Sequence, residues 1–397
     1  MLPAVMTSIE QAFREIKNFS MDHWEGEYRS AARQALKEIL ETRMGHWVDR
    51  SLQELAARGV ADRRNGYFFR HLLTELGDLE LAIPRSRTFS AIGILRQMAG
   101  GLARRAGQVE RLVLLAFSLG LSTRKVGQVL LPILGEKISA STVSAIAKQL
   151  DHVVQAYQRR ALSDHYSVLV LDGVVLKHRT GVGALKRPVL VALGITAEGK
   201  RELIDFRQAF SESQAEWEGF LNDLYRRGLK GERLKLIVTD GGTGLKAALP
   251  LVFGQIPVQL CWAHKTRNVL DKVRRVDQDV VKKDLHRISH ASSLGTAQTA
   301  AQQFIARWQK PYPQATSCLA RDLCQLLTFL RVRLNLPAVA LRTTNAIERR
   351  FREVKRRTRP MGTFSDHTSI DRILFAVFSY ENYKEGTATP FLLTQNT

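Results

Sequence analysis

The sequence predicts a mixed α/β chain: a mostly helical N-terminal region, then a sheet domain interrupted by a helical insertion. Three observations predict it. Apolar residues recur at three-and-four spacing before residue 160. Runs rich in Val, Ile and Leu, bounded by Gly and Pro, fill 165–264. The stretch 265–340 is rich in helix formers and holds no convincing strand run.

The elements follow in order. In 27–55, Ala32, Leu36, Ile39, Leu40, Met44, Trp47, Val48, Leu52 and Leu55 form an apolar stripe, with Arg29, Arg33, Lys37 and Arg43 elsewhere on the helix. Such a stripe packs against a core or, as a second use, against another copy. Residues 61–107 change character. DRRNGYFFR is basic and aromatic with an Asn-Gly turn signal, and ELGDLELAIPRSRTF alternates around Leu79, Leu81 and Ile83. A short strand or a hairpin is expected, with Arg63, Arg64, Arg85 and Arg87 placed to touch phosphates. A solvated surface hairpin would look the same. Residues 108–162 read as three helical pieces: QVERLVLLAFSLG, LSTRKVGQVLLPILG and SASTVSAIAKQLDHVVQAYQRR. Ser122 is a candidate N-cap, and a Ser/Thr cluster opens the third piece. Helix, Gly-containing turn and helix is the helix-turn-helix pattern, although many small bundles share it. Ser122, Thr123, Arg124, Ser141 and Thr142 are the candidate DNA contacts.

Strands are expected at 167–179, 186–196, 200–210 and 233–242, and 257–264 is expected to be a short fifth strand entering a helix. Amphipathic helix 214–228 lies between the third and fourth strands, and GTGLKAALPLVFG follows the fourth. Three strands, helix, strand, helix, strand is the order of a ribonuclease H-like domain. In that order the first and fourth strands are neighbours. The domain is expected to span 163–264 and 341–385, closing with a helix around 343–357. Residues 1–60 form the N-terminal helical region, where dimerisation is one use. Residues 386–397 are a tail.

Composition bounds the partner. The 397 residues carry 59 Lys+Arg against 38 Asp+Glu, a net charge of +21. At 45% hydrophobic the chain buries real cores, which excludes a purely disordered basic tail. No apolar run approaches the ~18–20 residues of a membrane span. The first residues lack a basic n-region and an apolar h-region. Three cysteines, Cys261, Cys318 and Cys324, make neither a disulfide framework nor a four-cysteine zinc site. The expectation is a cytoplasmic, nucleoid-associated protein with a polyanionic partner, nucleic acid being the commonest.

Two acids close apolar strand cores: Asp172 in VLVLDGVV and Asp240 in LIVTDGG. Asp-Gly alone is an ordinary turn pair. Here both sit where a buried sheet meets its edge, on neighbouring strands. Nearby carboxylates repel, and a hard divalent cation such as Mg²⁺ relieves the repulsion. Two such ions about 4 Å apart serve phosphoryl transfer. A third carboxylate is then expected, and Glu348 and Glu353 both lie on a helix crowded with Arg342, Arg349, Arg350, Arg352, Lys355, Arg356, Arg357 and Arg359. Each of the two acids also has an i,i+4 arginine partner. Residue spacing leaves that choice open.

LDG at Asp172, TDGGTGL at Asp240, CWAHKTRNVL and TTNAIERRFREVKRRTRPMGTF resemble the mutator family of DDE transposases, in its bacterial insertion-sequence branch. ADRRNGYFFR, AIPRSR, GLSTRKV and ESQAEW extend the resemblance from about residue 30 to 380. The resemblance implies that Asp172, Asp240 and Glu348 are the catalytic and metal-binding acids, choosing Glu348 over Glu353. It also implies a helical insertion between the second Asp and the Glu, as the strand-free 265–340 suggests. Cys261 and His264 match the family's C-x-x-H element, and Asn345 belongs to its last motif, giving all three supporting roles. A zinc reading would recruit His286 and His290, but only one cysteine is well placed. The implied activity is cleavage at terminal inverted repeats and joining of the 3′-hydroxyl to target DNA. Two Mg²⁺ ions, or Mn²⁺, would assist, and a homodimer would hold two element ends. A circular excision intermediate is implied as well. Arg267, Arg349, Arg350, Lys355, Arg356 and Arg357 join the candidate DNA contacts. The rival readings are a silent DNA-binding relic and a nuclease on the same fold.

Overall fold

The computed structural model describes residues 21–99, 107–118, 121–134, 137–180, 183–332, 334–358 and 367–387. The motif residues 359–364 and the expected tail from 388 onward lie outside these. The chain divides into two compact units, one comprising residues 1–117 and 121–148, the other 118–120 and 149–397.

In the first unit α1 (Met21–Ala57) lies along the hairpin β1 (Arg64–Thr74) and β2 (Gly77–Ser86). The expected stripe is what packs. Leu40, Met44 and Val48 meet Leu72, Leu79, Leu81 and Ile83, with Leu95 of α2 (Ile92–Ala99) closing the cluster. The hairpin turns at Thr74 and Gly77, whose φ of 114° suits glycine. Tyr67 and Phe69 stay 57% and 69% exposed on β1, while Phe68 between them packs against the core on the other face. After α3 (Gly107–Ser118) come α4 (Thr123–Val129), the short α5 (Leu131–Leu134) and α6 (Ala140–Ala147). Ser122 caps α4 by accepting from Lys125 N at 3.3 Å, and Ser139 caps α6 by accepting from Thr142 N at 3.1 Å. A Cβ on Gly127 would lie 2.1 Å from the carbonyl oxygen of Ile138, so α4 presses on the turn before α6. The third helical piece is broken. The helix stops at Ala147 and α7 (Leu150–Arg159) begins where the chain enters the second unit.

The second unit is built on a five-stranded mixed sheet. Its strands are β3 (Tyr166–Thr180), β4 (Gly183–Thr196), β5 (Arg201–Gln208), β6 (Leu236–Thr239) and β7 (Val258–Leu260), in the order β5-β4-β3-β6-β7. The first three pair antiparallel, while β6 and β7 run parallel to β3. The fourth strand is shorter than the apolar run suggests, because the chain bends away at Asp240. The strands carry apolar residues on both faces because both are covered. On one face Leu169, Leu171, Leu190 and Ile204 pack with Trp217, Phe220 and Leu224 of α8 (Gln214–Arg226) and Leu245, Leu249 and Phe253 of α9 (Thr243–Phe253). On the other, Phe206 of β5 contacts the rings of Tyr157 and Phe378, the latter from α16 (His367–Lys384). Phe378 also meets Phe351 of α15 (Asn345–Thr358).

Between β7 and α15 the chain is helical throughout the described residues: α10 (Trp262–Leu270), α11 (Gln278–Ser289), α12 (Leu294–Trp308), α13 (Pro313–Leu326) and α14 (Ala338–Leu341), with two 3₁₀ turns. Asp284 organises this block, accepting from Trp308 Nε1 at 2.9 Å and Arg307 Nη1 at 3.1 Å. Trp217, Trp262 and Trp308 are core residues, 2%, 3% and 8% exposed, so none offers a free face for base stacking. Among the described residues no helix is long and apolar enough to cross a membrane.

Candidate active site

Parallel pairing sets the first two acids side by side. Leu171 is the register partner of Thr239, and the next residues are Asp172 and Asp240. Asp172 is 3% exposed. Burial pushes its carboxyl up to about 7, and the charge of Asp240 adds to the push. The His264 and Thr344 contacts act the other way. Asp240 also does the turn work expected of Asp-Gly. Its Oδ1 accepts from Gly242 N at 3.0 Å, and Gly241 has a φ of 86°. Among the described residues its Oδ2 accepts no hydrogen bond, so turn and site coexist in one side chain.

Glu348 arrives from the far side of the insertion, in the first turn of α15. Three ties bring it in. Trp262 N donates to Arg342 O at 2.9 Å, Thr344 N donates to Cys261 Sγ at 3.3 Å, and His264 Nε2 lies 3.5 Å from Glu348 Oε1. The C-x-x-H pair therefore bridges the sheet edge and the third acid. Contact with the Cys261 thiol raises the His264 imidazole to about 9, and the charges of Cys261, Asp172 and Asp240 support it. Cys261 is buried, which raises its thiol, but the His264 and Thr344 contacts win and lower it. The shift favours a positive His264 among these acids. Glu353 is occupied elsewhere: bonds from Arg356 and Arg357 hold its carboxyl down at about 2. Asn345 opens α15 and is half-buried.

Sequence reasoning missed Thr344, fully buried against both Asp172 and Cys261. Its only signal was its place just before the helix, three residues ahead of Ile347 and four ahead of Glu348. It also missed a cleft of about 430 Å³ beside Asp240, lined by Lys246, Lys265, Asn268, Lys272 and Arg321 among others. Lys265 is buried and ion-paired to Asp322, whereas Lys272 and Arg321 are exposed at the rim. No local motif announces this cleft, because α9, α10 and α13 each give it two or three residues.

The basic helix is sorted by phase. Ile347, Phe351 and Val354 form the buried stripe of α15, and positions 350 and 357 flank it. Arg350 and Arg357 are therefore buried, 5% and 3% exposed, and pair with Glu385 and Glu353. The expectation that these two touch DNA is corrected: they hold α15 in place. Arg349, Lys355 and Arg356 are exposed, as is Arg267 on α10. In the first unit Arg63, Arg87, Arg124 and Ser141 are exposed and Ser122, Thr123 and Thr142 half-buried. Arg64 is exposed but bound to Asp49, and Arg85 donates to Asn65 O at 3.1 Å. The histidines of the zinc reading point elsewhere. His286 and His290 stack at 3.4 Å, and His290 Nε2 lies 2.6 Å from Arg342 Nη2. Among the described residues no three His, Cys, Asp or Glu side chains already form a metal-ligating group.

Comparison with known proteins agrees with the motifs. The family described as "Transposase, Mutator family" matches residues 5–386. The transposase for insertion sequence element ISRM5 of Rhizobium meliloti (strain 1021) is 32% identical over 390 residues, 96% of this chain and 94% of its own. The transposase for insertion sequence element IS905 of Lactococcus lactis is 29% identical, covering 90% of each chain. Among solved structures, the Drosophila P element transposase strand transfer complex aligns over 68% of this chain and 91% of its own, with 10% identity and a TM-score of 0.43.

Proposed function

From the premise that this chain belongs to the mutator family of transposases, we propose that it cleaves the ends of an insertion sequence and joins the freed 3′-hydroxyl to target DNA, with Asp172, Asp240 and Glu348 as its catalytic acids. One observation carries the reading. Two carboxylates follow paired positions on adjacent parallel strands, and a third is tied to the same edge through His264. The strand order, with the first and fourth strands adjacent at the centre, supports a ribonuclease H-like catalytic domain.

Three oxygen-donor acids with a repelled Asp172 fit hard divalent cations, Mg²⁺ or Mn²⁺. When bound, such ions lower the pKa of an attacking oxygen and stabilise charge on the leaving one. The chain's own residues do the rest. His264 and Thr344 orient Glu348 and Asp172. Lys272, Arg321, Arg267, Arg349, Lys355 and Arg356 hold the phosphates of the cut strand. Terminal repeats are read by the helix-turn-helix formed by α4 and α6, through Ser122, Thr123, Arg124, Ser141 and Thr142. Arg63, Arg64, Arg85 and Arg87 of the hairpin add backbone contacts. Joining two ends calls for a homodimer on double-stranded DNA.

The test is strand transfer. A labelled duplex carrying the inverted repeat beside this gene is incubated with supercoiled target in Mg²⁺ or EDTA. Joined product is expected with Mg²⁺, and neither with EDTA nor with Asp172→Ala. Cleavage without joining would make the protein a nuclease. Tight binding with neither reaction, in Mg²⁺ or Mn²⁺, would refute the catalytic reading.

A further inference from the structure

A fourth carboxylate stands at the same edge. Glu212 lies between β5 and α8, in a segment fixed at both ends. Ala209 N donates to Pro188 O at 2.9 Å, and Ser213 caps α8 by accepting from Glu216 N at 3.4 Å. Two glycines make room for Glu212, and each is close to a catalytic acid in sequence. Gly173 follows Asp172, and a Cβ there would lie 2.7 Å from Glu212 Cδ and 2.9 Å from both carboxylate oxygens. Gly244 opens α9 just after Asp240, and a Cβ there would lie 2.0 Å from the Glu212 carbonyl oxygen. Neither glycine has a positive φ. Their backbones would suit any L residue, so the missing side chain serves space alone. The space on Gly173 is filled by the Glu212 carboxylate.

That carboxylate is half-buried, and among the described residues no cation or hydrogen-bond donor reaches it. The charge that bears on it is a like one, Asp240. A partly desolvated acid beside like charge is costly unless something positive completes it. Arginines are plentiful in this chain, yet among the described residues none is placed there.

We propose that Glu212 is a fourth carboxylate ligand for the divalent cations of this site. The proposal rests on the catalytic reading of Asp172, Asp240 and Glu348. It assigns the close Gly173–Glu212 contact a purpose: it holds the Glu212 carboxylate beside the residue that follows Asp172 and close enough to feel the charge of Asp240. A packing role would ask for a longer apolar side chain and no glycine opposite.

The experiment is a Mn²⁺ titration of the full-length protein, read by the electron paramagnetic resonance signal of free Mn²⁺, with strand transfer measured across Mg²⁺ concentrations. Glu212→Gln keeps shape and removes charge. It is expected to weaken Mn²⁺ binding by about tenfold or more and to raise the Mg²⁺ needed for half-maximal joining, with activity partly restored at high Mg²⁺. Gly173→Ala, which pushes the carboxylate away, should reproduce the loss of Mn²⁺ affinity. Added to Glu212→Gln, it should cost little more. Unchanged Mn²⁺ affinity in Glu212→Gln, alongside lost affinity in Asp172→Asn, would overturn the role of Glu212 alone. Unchanged affinity in both variants would overturn the reading of the whole site.

Discussion

Replacing Asp172 by Asn removes the first of the proposed catalytic acids, and it is expected to make the metal-free protein more stable. Asp172 is raised from an ordinary value near 3.8 to about 7 by burial and by Asp240. An acid whose pKa is raised on folding contributes stability that is complete below its unfolded pKa and is lost as pH rises through its folded one. The loss accumulates from about pH 4 to pH 7 and is level above that. At about 1.4 kcal/mol per unit, the full cost of ionising Asp172 is about 4 to 5 kcal/mol, and about 3 kcal/mol of it falls between pH 5 and pH 8. Asparagine keeps the size and carries no charge, so it escapes this cost. Thermal or urea unfolding in EDTA should show Asp172→Asn more stable than the parent at pH 8, with the margin shrinking by roughly 3 kcal/mol at pH 5. Magnesium should then reverse the order. A cation bound only by the folded state stabilises the parent and does little for the variant. A margin that does not change with pH in EDTA would sink the argument that charge repulsion at this edge is what a cation relieves.

Three further outcomes are expected. Gly244→Ala would drive a methyl to 2.0 Å from the Glu212 carbonyl, and backbone must move to admit it. A loss of roughly 3 kcal/mol or more should appear as poor solubility or a melting temperature many degrees lower, and an unchanged melt would contradict the packing. Arg227→Leu strips the guanidinium that binds buried Asp205 and also Asp223 at 3.0 Å. Destabilisation of about 3–5 kcal/mol is expected, with Arg227→Leu/Asp205→Leu recovering much of it in the same unfolding assay. Lys272→Gln and Arg321→Gln, at the rim of the cleft beside Asp240, should leave folding intact and weaken DNA binding. Each should reduce the slope of log affinity against log salt by about 0.9 in a fluorescence-anisotropy titration, and unaltered slopes would remove the cleft from the DNA path.

Much of this was legible in the chain because the signals were local. Apolar stripes and runs placed α1, the hairpin, and all five strands of the sheet to within a few residues. Ser122 read as a cap and is one. Asp172 and Asp240 stood out because each terminates an apolar run, and strand order then made them neighbours. What stayed hidden depends on phase or on distant partners. The charges of 349–357 are evenly spread in sequence, yet the Ile347–Phe351–Val354 stripe turns Arg350 and Arg357 inward. The choice between Glu348 and Glu353 needed His264, 84 positions earlier, or a family motif. Glu212 and its two glycines lie on three separate segments, so no window of sequence contains their contact. The fifth strand enters a helix as expected, and the crossover falls at Cys261, the N-cap of α10.

The helical block between β7 and α15 leaves the sheet at Cys261 and returns at Thr344, two residues joined by a hydrogen bond of 3.3 Å. Its neck is sewn shut. The position of Glu348 is then fixed by the stitch and is indifferent to how far the chain wanders beyond it, since closing a longer excursion costs only the logarithm of its length. The block behaves as a pendant that can be shortened, lengthened or exchanged for another while the three acids keep their places. A transposase built this way can remodel that block without disturbing the edge where the three acids meet.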